Sequence, residues 1–173
     1  MQVPRRLDPD KVVTHLPVLY RAARAWTRSK DEAEDLVQET LARVLAKPRL
    51  VRGDELGYLL RALRNTLVSQ RRAESRRPVT TPLLDDLDAG ARALDEPAAA
   101  AEQREVYAAI RELPQDFRDA LVAVDLAGLS YQEAARALGL PEGTLTSRLF
   151  RARDRVARRL GDDSSVEGPA GGQ

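Results

Sequence analysis

The 173-residue sequence predicts an all-α fold of two small helical domains joined by a flexible acidic linker. Three observations predict it. Apolar residues recur at three- and four-residue spacing through several stretches that open on helix-start signals. That periodicity breaks once, at "PVTTPLLDDLDAGARALDEP" (residues 78–97), where three prolines fall among many acids. Only 4% of residues are aromatic, so the core must come from Leu, Val and Ala, a mix that favours helices.

Asp8-Pro9 pairs an N-cap residue with a proline at the first helical position and opens a stretch carrying His15, Leu16, Leu19, Tyr20, Ala23 and Trp26. His15 and Trp26 read as packing residues of this helix. Pro17 is expected to kink or divide it, and the stretch should end near Arg28. Ser29-Lys30-Asp31-Glu32 has the form of a capping box, and Ala33, Leu36, Val37, Leu41, Val44 and Leu45 follow at helical spacing until Lys47-Pro48. A third helix starts after Gly53-Asp54 and carries Tyr58, Leu59, Leu63 and Leu67 toward the arginines at 71–77. Three amphipathic helices with short connections can bury one small core, which sets a first domain at residues 8–77.

Residues 78–100 form the linker, because their composition cannot bury enough apolar surface to offset the entropy of ordering. Helical pattern resumes at Ala101 with Val106 and Ile110, and Leu113-Pro114 begins another helix that holds Phe117, Ala120, Leu121 and Val124 and ends near Gly128. Ser130-Tyr131-Gln132-Glu133 is a second capping box, starting a short helix with Ala134, Ala135 and Leu138 inward. Gly139 supplies its left-handed end. Leu140 and Pro141 turn the chain into a last helix whose apolar stripe is Leu145, Leu149, Ala152, Val156 and Leu160. A second domain therefore spans 101–160, and residues 161–173 are expected to be a disordered tail.

Hydrophobic content of 43% with 32% charged residues fits a soluble globular protein. With no Cys and the single His15, disulfides, thiolate zinc sites, cysteine nucleophiles and His-pair metal sites are excluded, and no metal or cofactor is expected. There is no Gly-rich phosphate loop, so an enzyme has little to work with. No apolar run approaches the roughly 18 residues of a membrane span, and "MQVPRRLDPD" lacks the apolar core of a signal peptide, so the chain reads as cytoplasmic.

Arginine outnumbers lysine 25 to 3, so placement rather than number carries information. Residues 61–77 and 148–159 each have a balance of +5, while residues 84–105 between them have −5, in a chain of net charge +1. Two basic segments point to two contacts with a polyanion.

The second of these lies on the last helix, opposite its apolar stripe, with Thr144, Ser147, Arg148, Arg151, Arg155 and Arg158. A short capped helix, a glycine turn, then a helix with small polar residues early and arginines later is the sequence form of a helix-turn-helix. Thr and Ser near its start can reach base edges in a major groove while arginines and backbone amides hold phosphates. The alternative is an ordinary solvated amphipathic helix.

Taken together, "AIRELPQDFRDALVAVDLAGLSYQEAARALGLPEGTLTSRLFRARDRVARRL" resembles region 4 of the two-domain sigma factors of the extracytoplasmic function (ECF) group, sigma-70 family members that direct bacterial RNA polymerase. "DEAEDLVQETLARVLAKP" is similar to their region 2.2, and "RGDELGYLLRALRNTLVSQRRAESRR" to regions 2.3 and 2.4. The resemblance runs from Leu16 to Leu160 in the family's order. It implies promoter-specific transcription initiation with no catalysis by the chain itself.

The resemblance also assigns roles. Asp35, Leu36, Val37, Gln38 and Glu39 occupy the motif that docks on the clamp helices of the polymerase β′ subunit; by themselves, Asp35 and Glu39 read as surface acids. Asn65 matches the residue that helps hold a flipped −10 base, with Arg61, Arg64, Arg71 and Arg72 near phosphates. Thr144, Thr146, Ser147, Arg148, Phe150 and Arg151 fall on the −35 face. Val51 stands where some members place an aromatic near the flipped base, Tyr58 replaces a frequent tryptophan, Thr146 stands where Arg or Lys is common and Val124 where some members have another Arg, which puts more of the −35 preference on Ser147, Arg148, Arg151 and DNA shape. Further implied partners are the polymerase β flap and an anti-sigma factor, which can hold such a chain at the membrane. The linker acids Asp85, Asp86 and Asp88 would mimic nucleic acid in the active-centre channel. The length leaves no room for regions 1.1 and 3 of larger sigma factors, and no appended domain is expected after Leu160. The rival reading is a stand-alone helix-turn-helix regulator of duplex DNA, which leaves "EDLVQE" and the Asn65-arginine block unexplained.

Overall fold

The structure is a computed structural model that describes residues 5–46, 50–51, 53–76 and 98–163. Helix α1 (Pro9–Trp26) starts where Asp8 caps it, its carboxylate accepting from Asp10 N. Pro17 lies inside α1 without dividing it, contrary to the stronger form of the sequence expectation. The turn preceding a helical proline loses a backbone hydrogen bond, and here Val13 on that turn is 60% exposed, so water can take the carbonyl. Helix α2 (Lys30–Leu45) is capped by the Ser29 side chain, which accepts from Glu32 N. The Glu32 carboxylate reaches one residue beyond the cap and accepts from Arg28 N at 2.9 Å. Helix α3 (Glu55–Ser75) is capped by Asp54 through Gly57 N at 2.6 Å.

Two short strands, β1 (Arg5–Arg6) and β2 (Leu50–Val51), pair antiparallel, Arg5 opposite Val51. Two-residue strands carry no periodicity, so nothing in the sequence announces them.

Helix α4 (Ala98–Glu112) begins earlier than expected, taking in three residues assigned to the linker. Residues 77–97, with Asp85, Asp86 and Asp88, lie outside the described residues. Helix α5 (Gln115–Leu121) runs straight into a π-helical turn (Val122–Leu126), closed by Ala127 N donating to Val122 O at 2.9 Å. Gly128 follows at φ +75°. Helix α6 (Tyr131–Leu138) has the complete capping box: Ser130 accepts from Glu133 N, and Glu133 accepts from Ser130 N. The Ser130 hydroxyl and backbone N–H hold the Glu133 carboxyl below its usual value. Helix α7 (Glu142–Asp163) outruns the predicted end, so the first three residues of the expected tail are helical.

Helices α1, α2 and α3 pack on one another, as do α4 to α7. The two sets also pack together, α6 on α3 and α4 on α1. Their buried residues, from Leu19, Trp26, Leu36 and Leu63 to Ile110, Val122, Leu145 and Leu149, belong to one apolar cluster. Each such fully buried leucine contributes about 1.5–3 kcal/mol of transfer free energy. No helix of the described residues is long and apolar enough to cross a membrane.

Candidate nucleic-acid interface

Helix α6 ends in a Schellman turn: Leu140 N donates to Ala135 O at 2.9 Å and Gly139 N to Arg136 O at 3.3 Å, with Gly139 at φ +68°. That turn aims α7 across α5. Leu145, Leu149 and Ala152 are wholly buried beneath it, so the opposite face must look outward. On that face Thr146, Ser147, Phe150 and Arg151 are exposed, Phe150 to 74%, while Thr144 and Arg148 are half-buried. Thr146 Oγ1 donates to Glu142 O at 2.9 Å, which leaves its lone pairs outward.

Most of the positive charge on α7 is spent internally. Arg148 pairs with Asp116 at 2.9 Å, Arg158 with Asp154 at 2.9 Å, and Arg159 with Glu112 at 3.2 Å. Arg153 grips Asp125 through two bonds of 2.9 and 2.6 Å, which raises its already high pKa further. Arg155 lies 4.9 Å from the Phe117 ring centre. Of the six arginines between 148 and 159, Arg151 alone has no acidic or aromatic partner among the described residues.

On α3 the same sorting occurs. Arg61, Asn65 and Arg72 sit within about 40° of one another around the helix and are exposed. Arg64 and Arg71, seven residues apart, lie on a neighbouring face against α5: Arg64 Nε donates to Asp119 Oδ2 at 2.5 Å, and Arg71 donates to Gln115 Oε1 at 2.8 Å. Arg61 lines a cleft with Gly53, Asp54, Tyr58, Glu133 and Arg136.

On α2, Asp35 and Gln38 are exposed and Glu39 is half-buried, accepting from Gln70 and Arg43. Val37 borders an open apolar groove with Leu16, Pro17, Tyr20 and Leu41, rimmed by Glu34 and Gln38. Burial, and next the Glu34 carboxylate, push the Tyr20 phenol upward. Leu36 is 0% exposed and supports this face from beneath rather than forming part of it. The residues singled out from the sequence thus fall on three surfaces, and the structure does not gather them into one pocket. Among the described residues no group of three potential metal-ligating side chains occurs.

Sequence reasoning passed over Asp119. It is 3% exposed and accepts from Trp26 Nε1 at 3.0 Å and Gln115 Nε2 at 2.5 Å as well as from Arg64. Its one sequence signal is an acid beside the apolar positions Ala120 and Leu121, too weak to single out.

Residues 12–77 match the sigma-70 region 2 family and residues 103–156 match sigma-70 region 4. The chain is 35% identical, over 94% of both lengths, to the ECF RNA polymerase sigma factor EcfG of Rhodopseudomonas palustris. It is 36% identical to the ECF RNA polymerase sigma factor SigM of Mycobacterium tuberculosis, over 85% of this chain and 74% of that one. Among solved structures it resembles the sigma factor RpoE of Bartonella quintana in complex with the anti-sigma factor NepR, with TM-score 0.66, 27% identity, and coverage of 88% and 95% of the two chains. Two region families in the family's own order, on described residues that are almost wholly helical with an outward-facing second helix of a helix-turn-helix, lead to one identification: this chain is an ECF-type RNA polymerase sigma factor of the sigma-70 family.

Proposed function

We propose that the chain divides its work between residues 8–77, which bind core polymerase and open the −10 region, and residues 101–160, which dock the −35 duplex. The observation that carries this reading is the outward face of α7, where Thr146, Ser147, Phe150 and Arg151 stand exposed over a fully buried Leu145 and Leu149. Such a face fits a major groove, with Arg151 free to reach a base or phosphate and Arg148 positioned behind it. On α3, Asn65 would read a flipped base, with Arg61 and Arg72 beside it for the strand's phosphates. The α2 face of Asp35, Gln38 and Glu39, beside the groove bordered by Val37, suits the basic coiled coil of the β′ clamp helices; the β flap would take the second half. An anti-sigma factor is a further partner, by analogy with RpoE and NepR, and through it the chain can be held at a membrane.

Run-off transcription with core polymerase on a genomic promoter library tests the assignment. Site-selective transcripts are expected, and none should form with core alone. Arg151→Ala should weaken −35 binding by about 1–3 kcal/mol and reduce the salt slope by about one unit. Unchanged promoter affinity in that variant rejects groove docking by α7. Tight binding of duplex promoter by the isolated protein, without co-purification of core polymerase, returns the stand-alone regulator.

A further inference from the structure

Where α4 packs on α1, helical spacing brings like charges together. Tyr20 and Arg24 are four residues apart on α1 and Arg21 and Arg24 three, while Arg104 and Tyr107 are three apart on α4, so each set shares a helix face. With Lys30, the first residue of α2, they line a small cleft of about 190 Å³. Two acids stand near: Glu34, which pairs with Lys30 at 3.9 Å and accepts from the Tyr20 hydroxyl at 3.2 Å, and Asp31, which acts on the Tyr20 phenol more weakly. Arg24 lies 5.9 Å from the Tyr107 ring centre, and neither Arg21 nor Arg24 meets an acid among the described residues. Positive charge therefore outweighs negative at this opening. Of these residues Tyr20 alone also borders the apolar groove of α1 and α2, and none belongs to the faces of α3 and α7 described above.

Tyr107 supplies a second, independent observation. It is 7% exposed, and its hydroxyl has no hydrogen-bond partner among the described residues. Among those residues Arg118 Nε is the one fully enclosed side-chain polar atom left unpartnered, so the Tyr107 hydroxyl is not sealed off and opens to the cleft it lines. Burial raises its pKa against the opposing effect of Arg24 and Arg21, which keeps the proton in place and makes the phenol a donor at neutral pH.

We propose that this cleft is a binding site for a diphosphate group, free or at the end of a nucleotide, held by Arg21, Arg24 and Arg104, the Lys30 ammonium and the Tyr107 hydroxyl. Phosphate oxygens make charge-assisted bonds to all of these donors, and a diphosphate has enough oxygens to meet them where a single carboxylate has not. The volume falls below the roughly 300–1,000 Å³ of clefts that enclose a drug-sized ligand, so a nucleotide would insert its phosphates and leave its base outside. A nucleic-acid strand is the poorer match, because its phosphates meet exposed groups and Tyr107 is recessed.

Calorimetric titration of the full-length chain with inorganic pyrophosphate, without divalent cations, tests the site. One pyrophosphate per chain is expected, with a dissociation constant in the micromolar range, weaker binding of orthophosphate, and a thermal midpoint that rises with pyrophosphate concentration. Tyr107→Phe keeps the ring and removes only the hydroxyl, and should weaken binding about tenfold. Arg24→Gln should weaken it further, whereas Arg153→Gln, which removes the same charge from α7, should leave it unchanged. If Arg24→Gln loses its helical circular dichroism, the exposed Arg21→Gln carries the same expectation of weakened binding. Titrations with ADP and GDP separate the two sources: tighter binding than pyrophosphate supports a nucleotide, equal or weaker binding the free anion. Absence of pyrophosphate binding, unchanged affinity in Tyr107→Phe, or equal losses in Arg24→Gln and Arg153→Gln overturns the site. So does an oligonucleotide without terminal phosphates that binds through Arg24 and Tyr107 more tightly than pyrophosphate.

Discussion

Along α3, Arg64 and Arg71 turn toward α5 and are bonded there, whereas along α7 Arg151 turns away from the body of the protein and meets no described partner. Both segments carry the same balance of +5. The contrast shows that the charge of a segment and the charge it can offer to a polyanion are separate quantities. The first is a sum over residues; the second depends on which acids and carbonyls the fold brings alongside. On α7 the acids Asp116, Asp125, Asp154 and Glu112 come from the same half and leave Arg151 outward, with Arg155 over the Phe117 ring. On α3 the neutralising acid is Asp119, from the other half, and it takes up Arg64 while Arg61 and Arg72 stay exposed.

Beneath the arginines the two helices should behave alike. Leu63 and Leu145 are each 0% exposed, so Leu63→Ala and Leu145→Ala should each cost about 2–5 kcal/mol in urea unfolding; a cost under 1 kcal/mol in one of them would mean that the helix is not seated as described. The next effect separates the two. Arg64→Ala removes a charged donor from a carboxylate whose side chain is 4% exposed and should lower stability by about 1–3 kcal/mol, while Arg151→Ala should stay within about 0.5 kcal/mol. Equal stability losses in the two variants would erase the comparison.

Smaller effects come from the caps. Ser130→Ala removes the hydroxyl that accepts from Glu133 N and should destabilise by about 0.5–2 kcal/mol, read from the thermal midpoint. The smallest effect is pH-dependent. Because Glu133 has a lowered carboxyl pKa in the folded chain, its contribution is complete well above the unfolded value of 4.5 and fades as pH falls through the lower folded value. Glu133→Gln should therefore flatten the acid limb of the stability curve near and below that pH and leave the neutral-pH slope untouched; an unchanged acid limb would show that the cap does not depend on the charge.

The helices were legible because their signals are local. Asp8, Ser29, Asp54 and Ser130 announce starts with side chains that reach only two or three residues ahead, and Gly139 announces an end by one backbone angle. All five residues of the α7 stripe are legible as buried or half-buried positions by the same periodicity, Leu145, Leu149, Ala152, Val156 and Leu160. Other features were beyond that reach. Pro17 predicts a kink or a division, yet α1 runs undivided through it with Leu16, Val18 and Leu19 packed on the core. The β1–β2 pair joins residues more than forty positions apart, as Arg5 with Val51, and leaves no pattern in either strand. Spacing alone also does not show that Val37, on the same apolar stripe as the buried Leu36, borders an open groove beside the exposed Gln38.

What the amino-acid order determined by itself is the helical character, the caps, the helix-turn-helix and the two arginine-bearing faces, since each follows from interactions within a turn or two of helix. Only the tertiary structure decided which arginines remain available. The bonds that settle it, Trp26 to Asp119 and Arg64 to Asp119, span 93 and 55 residues, and pairing across such distances depends on how whole helices pack rather than on spacing along the chain.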